Sequence, residues 1–297
     1  MHYSSELVSA IAQGHGLEGD VSLMPASGMV NEAWAIGDRY VCRIVFQDEC
    51  EDEAAREALV VPIAMQHGIR TPRLVAADVS CELAPKPYTI YERATGTLQG
   101  FSDLQPSHFE AAHREIGLQF AVLHQIPLNE DLAALLDHKP WEPRPRESLA
   151  KSKSAGLVTD DEEAQVLQLF EVLESHMGEM SQKALIHHDV HPWNVFVDEP
   201  SGSLTAIIDW GDTSWGDPAY DFASMPIQAL KPMLEAYAET HPVDQSLVAR
   251  ALYVGAALAL WELRELTEEF GKRQWWRMPP AGISQLCEDA RNALKML

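Results

Sequence analysis

The stretch from Ala184 to Ala223 restricts the fold more than any other part of the chain. Ala184-Leu185-Ile186 is apolar, His187 to Asn194 is dense in polar side chains, and Val195–Asp198 and Leu204–Asp209 then read as two strands. Glu199-Pro200-Ser201-Gly202-Ser203 between them is turn material, so the strands form a hairpin. Antiparallel pairing sets Asn194, at the entrance of one strand, beside Asp209, at the exit of the other. Together they offer oxygen donors to a hard cation such as Mg²⁺. Asp189, five residues before Asn194, stands on the loop leading in and within reach of the same space.

Phosphoryl transfer calls for this set of groups. Metal ligands neutralise the phosphate oxygens, while a separate carboxylate orients the attacking hydroxyl and accepts its proton. The Asp-to-Asn spacing matches the catalytic loop of protein kinases. A plain polar turn before a buried hairpin would also use Asp189 and Asn194, but it has no need of Asp209.

The pattern His187-x-Asp189-x-His191-Pro192-x-Asn194, followed by Ile207-Ile208-Asp209-Trp210 and Gly216-Asp217-Pro218-Ala219-Tyr220-Asp221, resembles the aminoglycoside phosphotransferase and choline kinase-like family. The resemblance implies an α+β, bilobal protein-kinase-like fold that moves the γ-phosphate of ATP or GTP to a small-molecule hydroxyl with Mg²⁺. By it Asp189 is the catalytic base, Asn194 and Asp209 hold the metal, and Asp221 is the buried carboxylate that secures the catalytic loop, with His187 in a structural role. Two positions depart from the family: His188 and Trp193 stand where small residues such as Gly are usual.

The rest of the chain divides accordingly. Residues 1–94 mix strand and helix and are read as a β-rich nucleotide-binding lobe, and residues 95–297 as a larger, mainly helical catalytic and substrate-binding lobe. Tyr40–Val45 is a β-branched strand, Glu51–Gln66 is helical with an acidic first turn, and Pro62 is expected to kink or divide that helix. Phe109–His124 repeats Ala112, Ile116, Phe120 and Leu123 on one face, the spacing of an amphipathic helix. Residues 138–156 read as a surface connection, and Asp160–Met180 as two further helices.

If the first lobe is kinase-like, Ser27, Gly28 and Asn31 form the turn over the phosphates, although GxGxxG is lacking. Arg43 is then the strand cation, in place of the Lys of protein kinases, and Glu57 its helix partner. Tyr91, Glu92 and Arg93 align with the hinge whose backbone binds the nucleobase.

The net charge of −23 argues against nucleic acid as a partner and suits either solubility or attraction of a cationic ligand. Four scattered cysteines give neither zinc spacing nor a disulfide framework, and fit a reducing cytoplasm. No signal peptide or membrane span is read, and monomer and homodimer stay open. Asp212, Trp261, Glu262 and Glu265 are the expected acceptor contacts, carboxylates and an indole suited to a polyamine-like cation. The leading acceptor is an aminoglycoside or another basic antibiotic. Macrolides follow, then choline, a sugar or homoserine. A His-rich metal hydrolase is disfavoured by the lack of a second ligand cluster, and a non-catalytic pseudokinase by the intact Asp189, Asn194 and Asp209.

Overall fold

Alternation of side chains along the strands of the first sheet decides what each strand shows to either side. In the computed structural model, which describes residues 3–24, 30–47, 52–136, 144–180, 182–265 and 282–295, the helix α1 (Ser5–Gly14) precedes β1 (Val21–Leu23), β2 (Asn31–Ile36) and β3 (Tyr40–Val45). Helix α2 (Asp52–Gln66) follows, then β4 (Leu74–Asp78) and β5 (Tyr88–Glu92). The five strands pair antiparallel in the order β1-β2-β3-β5-β4. Cys42, Ile44, Tyr88 and Ile90 join Val8 and Ile11 of α1 in one apolar cluster. The alternate residues Arg43, Thr89 and Tyr91 turn to the opposite face, where Glu57 of α2 meets all three.

Pro62 does not divide α2, which runs unbroken through it. The proline leaves one carbonyl of the helix without its usual donor, but Val60, Val61 and Ala64 are fully buried around it and hold the turn in place.

Beyond the short β6 (Thr97–Leu98), the chain is mainly helical: α3 (Pro106–Leu123), α4 (Glu130–Leu136), α5 (Pro145–Ser154) and α6 (Asp160–His176) come before the hairpin region. That region holds β7 (Ala184–Ile186), β8 (Val195–Asp198), β9 (Ser203–Ile207) and β10 (Ser214–Gly216). Helices α7 (Ala219–Ala223), α8 (Leu230–Tyr237), α9 (Gln245–Glu265) and α10 (Ile283–Leu294) complete the described chain.

Two sequence expectations change here. The polar stretch read as a surface connection contains α5, which starts on Pro145 and carries Lys151 and Lys153 in its last turn. Its buried Leu149 and Ser152 face α9, and Ser152 Oγ donates to the Leu260 carbonyl at 3.0 Å. The segment read as two helices is the single α6, begun by a capping box in which Thr159 and Glu162 satisfy each other's backbone N–H groups. Cys42, Cys81 and Cys287 carry free thiols.

Helix α3 is the pillar under the hairpin. Ala112, Ile116, Phe120 and Leu123 are buried, as the spacing predicts. Gly117 lies against α8 so closely that a Cβ there would overlap the main chain of Met233. Helix α9 includes a stretch apolar enough for a membrane span, with mean hydropathy 1.4, but 61% of it is buried inside the protein. Packing against α5, α6, α7 and α10 accounts for its apolar character.

His113, fully buried on α3, has Nδ1 2.6 Å from the Phe109 carbonyl and Nε2 3.0 Å from Gln99 Nε2. Donation from Nδ1 and acceptance at Nε2 require a neutral ring, and burial pushes its pKa down to about 4.

Two outcomes follow. Gly117→Ala lowers the unfolding free energy by about 1–3 kcal/mol in urea titrations, through overpacking at α8. The stabilising contribution of neutral His113 is complete above the unfolded-state pKa of about 6.5 and fades as pH falls towards about 4. Wild type should therefore lose about 2 kcal/mol more than His113→Gln between pH 7 and pH 5, read from paired denaturation curves.

Candidate active site

The apolar β7 carries the chain into the polar loop 187–194, and β10 pairs antiparallel with it, clasping the loop from beneath. From Asn194 the chain enters β8, which pairs antiparallel with β9 in a register that sets Val195 against Ile207. The ladder extends one step further, because Ile208 N–H donates to the Asn194 carbonyl at 2.9 Å. The entrance of one strand and the exit of the other are thus side by side.

Buried carboxylate Asp221 organises the loop from below. Its oxygens accept from the backbone N–H groups of His187 (3.1 Å) and His188 (2.7 Å) and meet His124 Nε2 at 2.9 Å. Burial alone would raise its pKa, but the His124 contact, His187 and the His188 amide outweigh that and hold it below the usual range. His124 Nδ1 continues to the Tyr237 hydroxyl at 3.0 Å, so the support reaches α8.

His187 joins the two sides of the hairpin. Nε2–H donates to the Ile208 carbonyl at 3.0 Å, and Nδ1 accepts from the Asp189 N–H at 3.3 Å. Both roles need the neutral ring, and complete burial keeps the pKa low.

Asp189 is half-buried and part of its side chain reaches solvent, its Oδ2 2.9 Å from Asn194 Nδ2 and 3.5 Å from His191 Nε2. The Asn194 amide also donates to the Asp189 main-chain carbonyl at 2.9 Å. With its nitrogen committed to Asp189, the amide keeps Oδ1 as an acceptor on its other side. The surrounding protein opposes charge on Asp189, but His191, His187 and His188 prevail and its pKa is lowered. It is a carboxylate at neutral pH.

Asp209 sits at φ +69°, in the left-handed region, which turns the chain sharply out of the hairpin. Its Oδ1 lies 2.5 Å from Arg43 Nη2, while Arg43 Nη1 lies 2.5 Å from Glu57 Oε1. The second Glu57 oxygen accepts from Thr89 Oγ1 at 3.0 Å and Tyr91 Oη at 2.7 Å. Burial disfavours the Arg43 cation, but Asp209 and Glu57 more than compensate and its pKa is raised. Arg56 Nε donates to the Gly211 carbonyl at 2.5 Å, a second strap from α2 to the segment after Asp209.

Asp212 reaches solvent at the cleft, yet the protein around it and the nearby Asp189, Glu53 and Asp209 push its pKa up to about 7. The oxygen donors of Asn194 and Asp209 have the hardness that Mg²⁺ prefers.

The other expected residues are placed unevenly. Asn31 turns towards Glu53, with Nδ2 3.5 Å from Oε2, while Ser27 and Gly28 lie outside the described residues. Tyr91 enters the site through its hydroxyl, on Glu57. Glu92 pairs with Arg73 at 2.7 Å, and its N–H donates to the Arg73 carbonyl. The Arg93 N–H donates to the Arg39 carbonyl. Trp261 is half-buried on α9, Glu262 is buried away from the Asp189 group, and the Glu265 side chain lies outside the described residues.

Sequence reasoning passed over His124, Arg56 and Glu53. The signal for His124 was its place four residues after Phe120, on the buried face of α3.

The two departures have physical settings. His188 has φ +74°, a left-handed conformation that glycine adopts without cost. Its ring compensates by packing edge-on to Tyr220 at 4.8 Å. Trp193 lies over Gly100, where a Cβ would overlap its indole, and meets Phe101 edge-on at 4.6 Å.

A model of the phosphotransferase enzyme family (APH) matches residues 24–241. Among solved structures, the GDP and kanamycin complex of APH(2")-IIia is 20% identical over 97% of this chain and 99% of that one, with TM-score 0.66. Spectinomycin phosphotransferase APH(9)-Ia, in complex with ADP and spectinomycin, is 12% identical over 99% of both chains, with TM-score 0.67. Macrolide 2'-phosphotransferase type I is 18% identical over 93% of this chain and 97% of that one, with TM-score 0.63. These likenesses bear out the α+β, kinase-like fold expected from the sequence.

Replacing His188 separates strain from packing. His188→Gly should change the unfolding free energy by less than about 1 kcal/mol, since relief of strain offsets the lost ring contact. His188→Val should lower it by about 1–2 kcal/mol, because a β-branched residue tolerates this conformation poorly. Equal stabilities for the two variants would remove the backbone explanation.

Proposed function

The chain belongs to the phosphotransferase enzyme family, and we propose that it transfers the γ-phosphate of ATP or GTP to a hydroxyl of a basic antibiotic, an aminoglycoside first among them. The observation that carries this reading is the convergence of Asp189, Asn194 and Asp209 on one hairpin, with Arg43 and Glu57 bridging to the sheet.

In this reading Asp189 accepts a hydrogen bond from the acceptor hydroxyl, orients its lone pair at the γ-phosphorus, and takes the proton as the new O–P bond forms. The bond from phosphorus to the bridging oxygen breaks, and the nucleoside diphosphate leaves with that electron pair. Asn194 and Asp209 would hold Mg²⁺, whose charge neutralises the phosphate oxygens. Arg43 presents a guanidinium to the nucleotide phosphates, fixed in direction by Glu57. His187 holds the Asp189 backbone, and Asp221 holds both histidine amides beneath it.

The acceptor is argued from electrostatics. An open acidic group at the cleft, within a chain of net charge −23, attracts cations and raises their local concentration. Asp212 is the acid best placed to meet an amine beside the reacting hydroxyl. The likeness to phosphotransferases in complex with kanamycin and with spectinomycin supports the same class. The likeness to a macrolide 2'-phosphotransferase keeps macrolides as the second reading.

The deciding assay measures ADP and GDP release with Mg²⁺ across aminoglycosides, spectinomycin, macrolides, choline, sugars and homoserine. Turnover is expected with a basic antibiotic. No release with any acceptor, together with no nucleotide binding, would sink the reading. Asp189→Asn should lower kcat by about 10²- to 10⁴-fold while leaving nucleotide affinity within about threefold. Activity equal to wild type would refute the role given to Asp189.

A further inference from the structure

Away from the hairpin, α6, the second half of α9 and α10 line a partly open cavity of about 230 Å³. Leu157, Val166, Leu169, Leu260, Ile283 and Leu286 make most of its wall. Glu262 lines the same cavity. It is only 3% exposed, and its Oε1 is buried with no hydrogen-bond partner among the described residues.

This is an uncommon state for a carboxyl group. Buried polar atoms are hydrogen-bonded as a rule, and an unpaired one costs about 1–3 kcal/mol. Among the described residues, the other titratable groups on the cavity wall give Glu262 no help. Glu162 of α6 is occupied in the Thr159 capping box, and Cys287 of α10 is a thiol that burial pushes up to about 11. Arg291, one turn beyond Cys287, donates to the Gln165 carbonyl. Burial alone pushes the Glu262 pKa up to about 8.

We propose that this cavity is a second ligand site, which binds a small organic amine by seating its ammonium group on the Glu262 carboxylate and its apolar body against the aliphatic wall. The two halves of the site call for one kind of molecule. A simple ion would leave the leucine and isoleucine wall unfilled, and a hydrocarbon would leave the carboxyl group unpaired. An apolar cavity of about 150 Å³ is enough for benzene, so this one has room for a six-membered ring carrying an aminomethyl arm. The wall contains none of Asp189, Asn194, Asp209, Arg43 or Glu57, so the site is separate from the phosphotransfer group.

Proton linkage gives the site a signature. In the free protein at pH 7, Glu262 is largely protonated, whereas an alkylammonium keeps its charge to about pH 10. Docking the cation therefore drives a proton off Glu262.

The test is isothermal titration of the full chain at pH 7 with cyclohexylmethylamine and with its uncharged counterpart, cyclohexylmethanol. Wild type should bind the amine at one site and release close to one proton, read from binding heats in buffers of different ionisation enthalpy. The alcohol should bind at least about tenfold more weakly. Glu262→Gln should lose about tenfold or more for the amine, with little change for the alcohol. Glu262→Leu, checked for folding by circular dichroism, should lose the amine and its proton release together. Equal affinity for amine and alcohol in wild type would overturn the proposal. So would undiminished amine binding by either folded variant, or no saturable heat with the amine up to roughly 10 mM.

Discussion

One guanidinium ties the candidate site together. Arg43 reaches Glu57 with one nitrogen and Asp209 with the other, so the sheet, α2 and the hairpin exit meet on a single planar fork. Such a contact tolerates little displacement, because both hydrogen bonds depend on the same plane. Burial makes the arrangement exacting. Removing any one of the three charges leaves another stranded in a poorly solvated place, which is costlier than never having paired it. Thr89 and Tyr91 complete the set by occupying the other oxygen of Glu57, and Arg56 adds a strap to Gly211. The position of α2 is therefore written into the geometry of the hairpin.

Much of this was legible in the sequence because it rests on local rules. Alternation and turn residues defined the hairpin between Asn194 and Asp209, and helical spacing defined the buried face of α3. Arg43 on a strand and Glu57 on the following helix were identifiable as partners. The illegible parts are those in which tertiary contact overrides composition. Helix α5 is polar nearly throughout, and only Pro145, Leu149 and Ser152 turn inwards, too few to set up a visible period. Glu262 was expected, with Glu265, among the acceptor contacts, whereas the packing of α9 against α6 and α10 takes it inside. The residues expected at the hinge posed a different difficulty: the amides of Glu92 and Arg93 are spent on Arg73 and Arg39, a detail of strand pairing that no side-chain pattern encodes.

His188 and Asp209 share a backbone device. Both are non-glycine residues in the left-handed region, and they flank the group formed by Asp189, Asn194 and Arg43. Each reverses the chain where a regular strand would carry it out of the site. Their strain is supported by hydrogen bonds on either side: the His188 amide on Asp221, and the Asp209 carboxylate on Arg43. The loop thus keeps its shape through anchors outside itself.

The pairing of aromatic and proposed metal-binding positions has an optical consequence. Trp193 immediately precedes Asn194, and Trp210 immediately follows Asp209, so each proposed metal ligand has an indole as its chain neighbour. The two chromophores live in different surroundings. Trp193 is half-buried over Gly100 and Phe101, whereas Trp210 is 1% exposed and donates to Thr71 Oγ1 at 3.0 Å. Their emission maxima should differ accordingly, that of the more exposed Trp193 lying to the red of that of Trp210. The hairpin therefore carries its own pair of chromophores, one near the surface and one in the core.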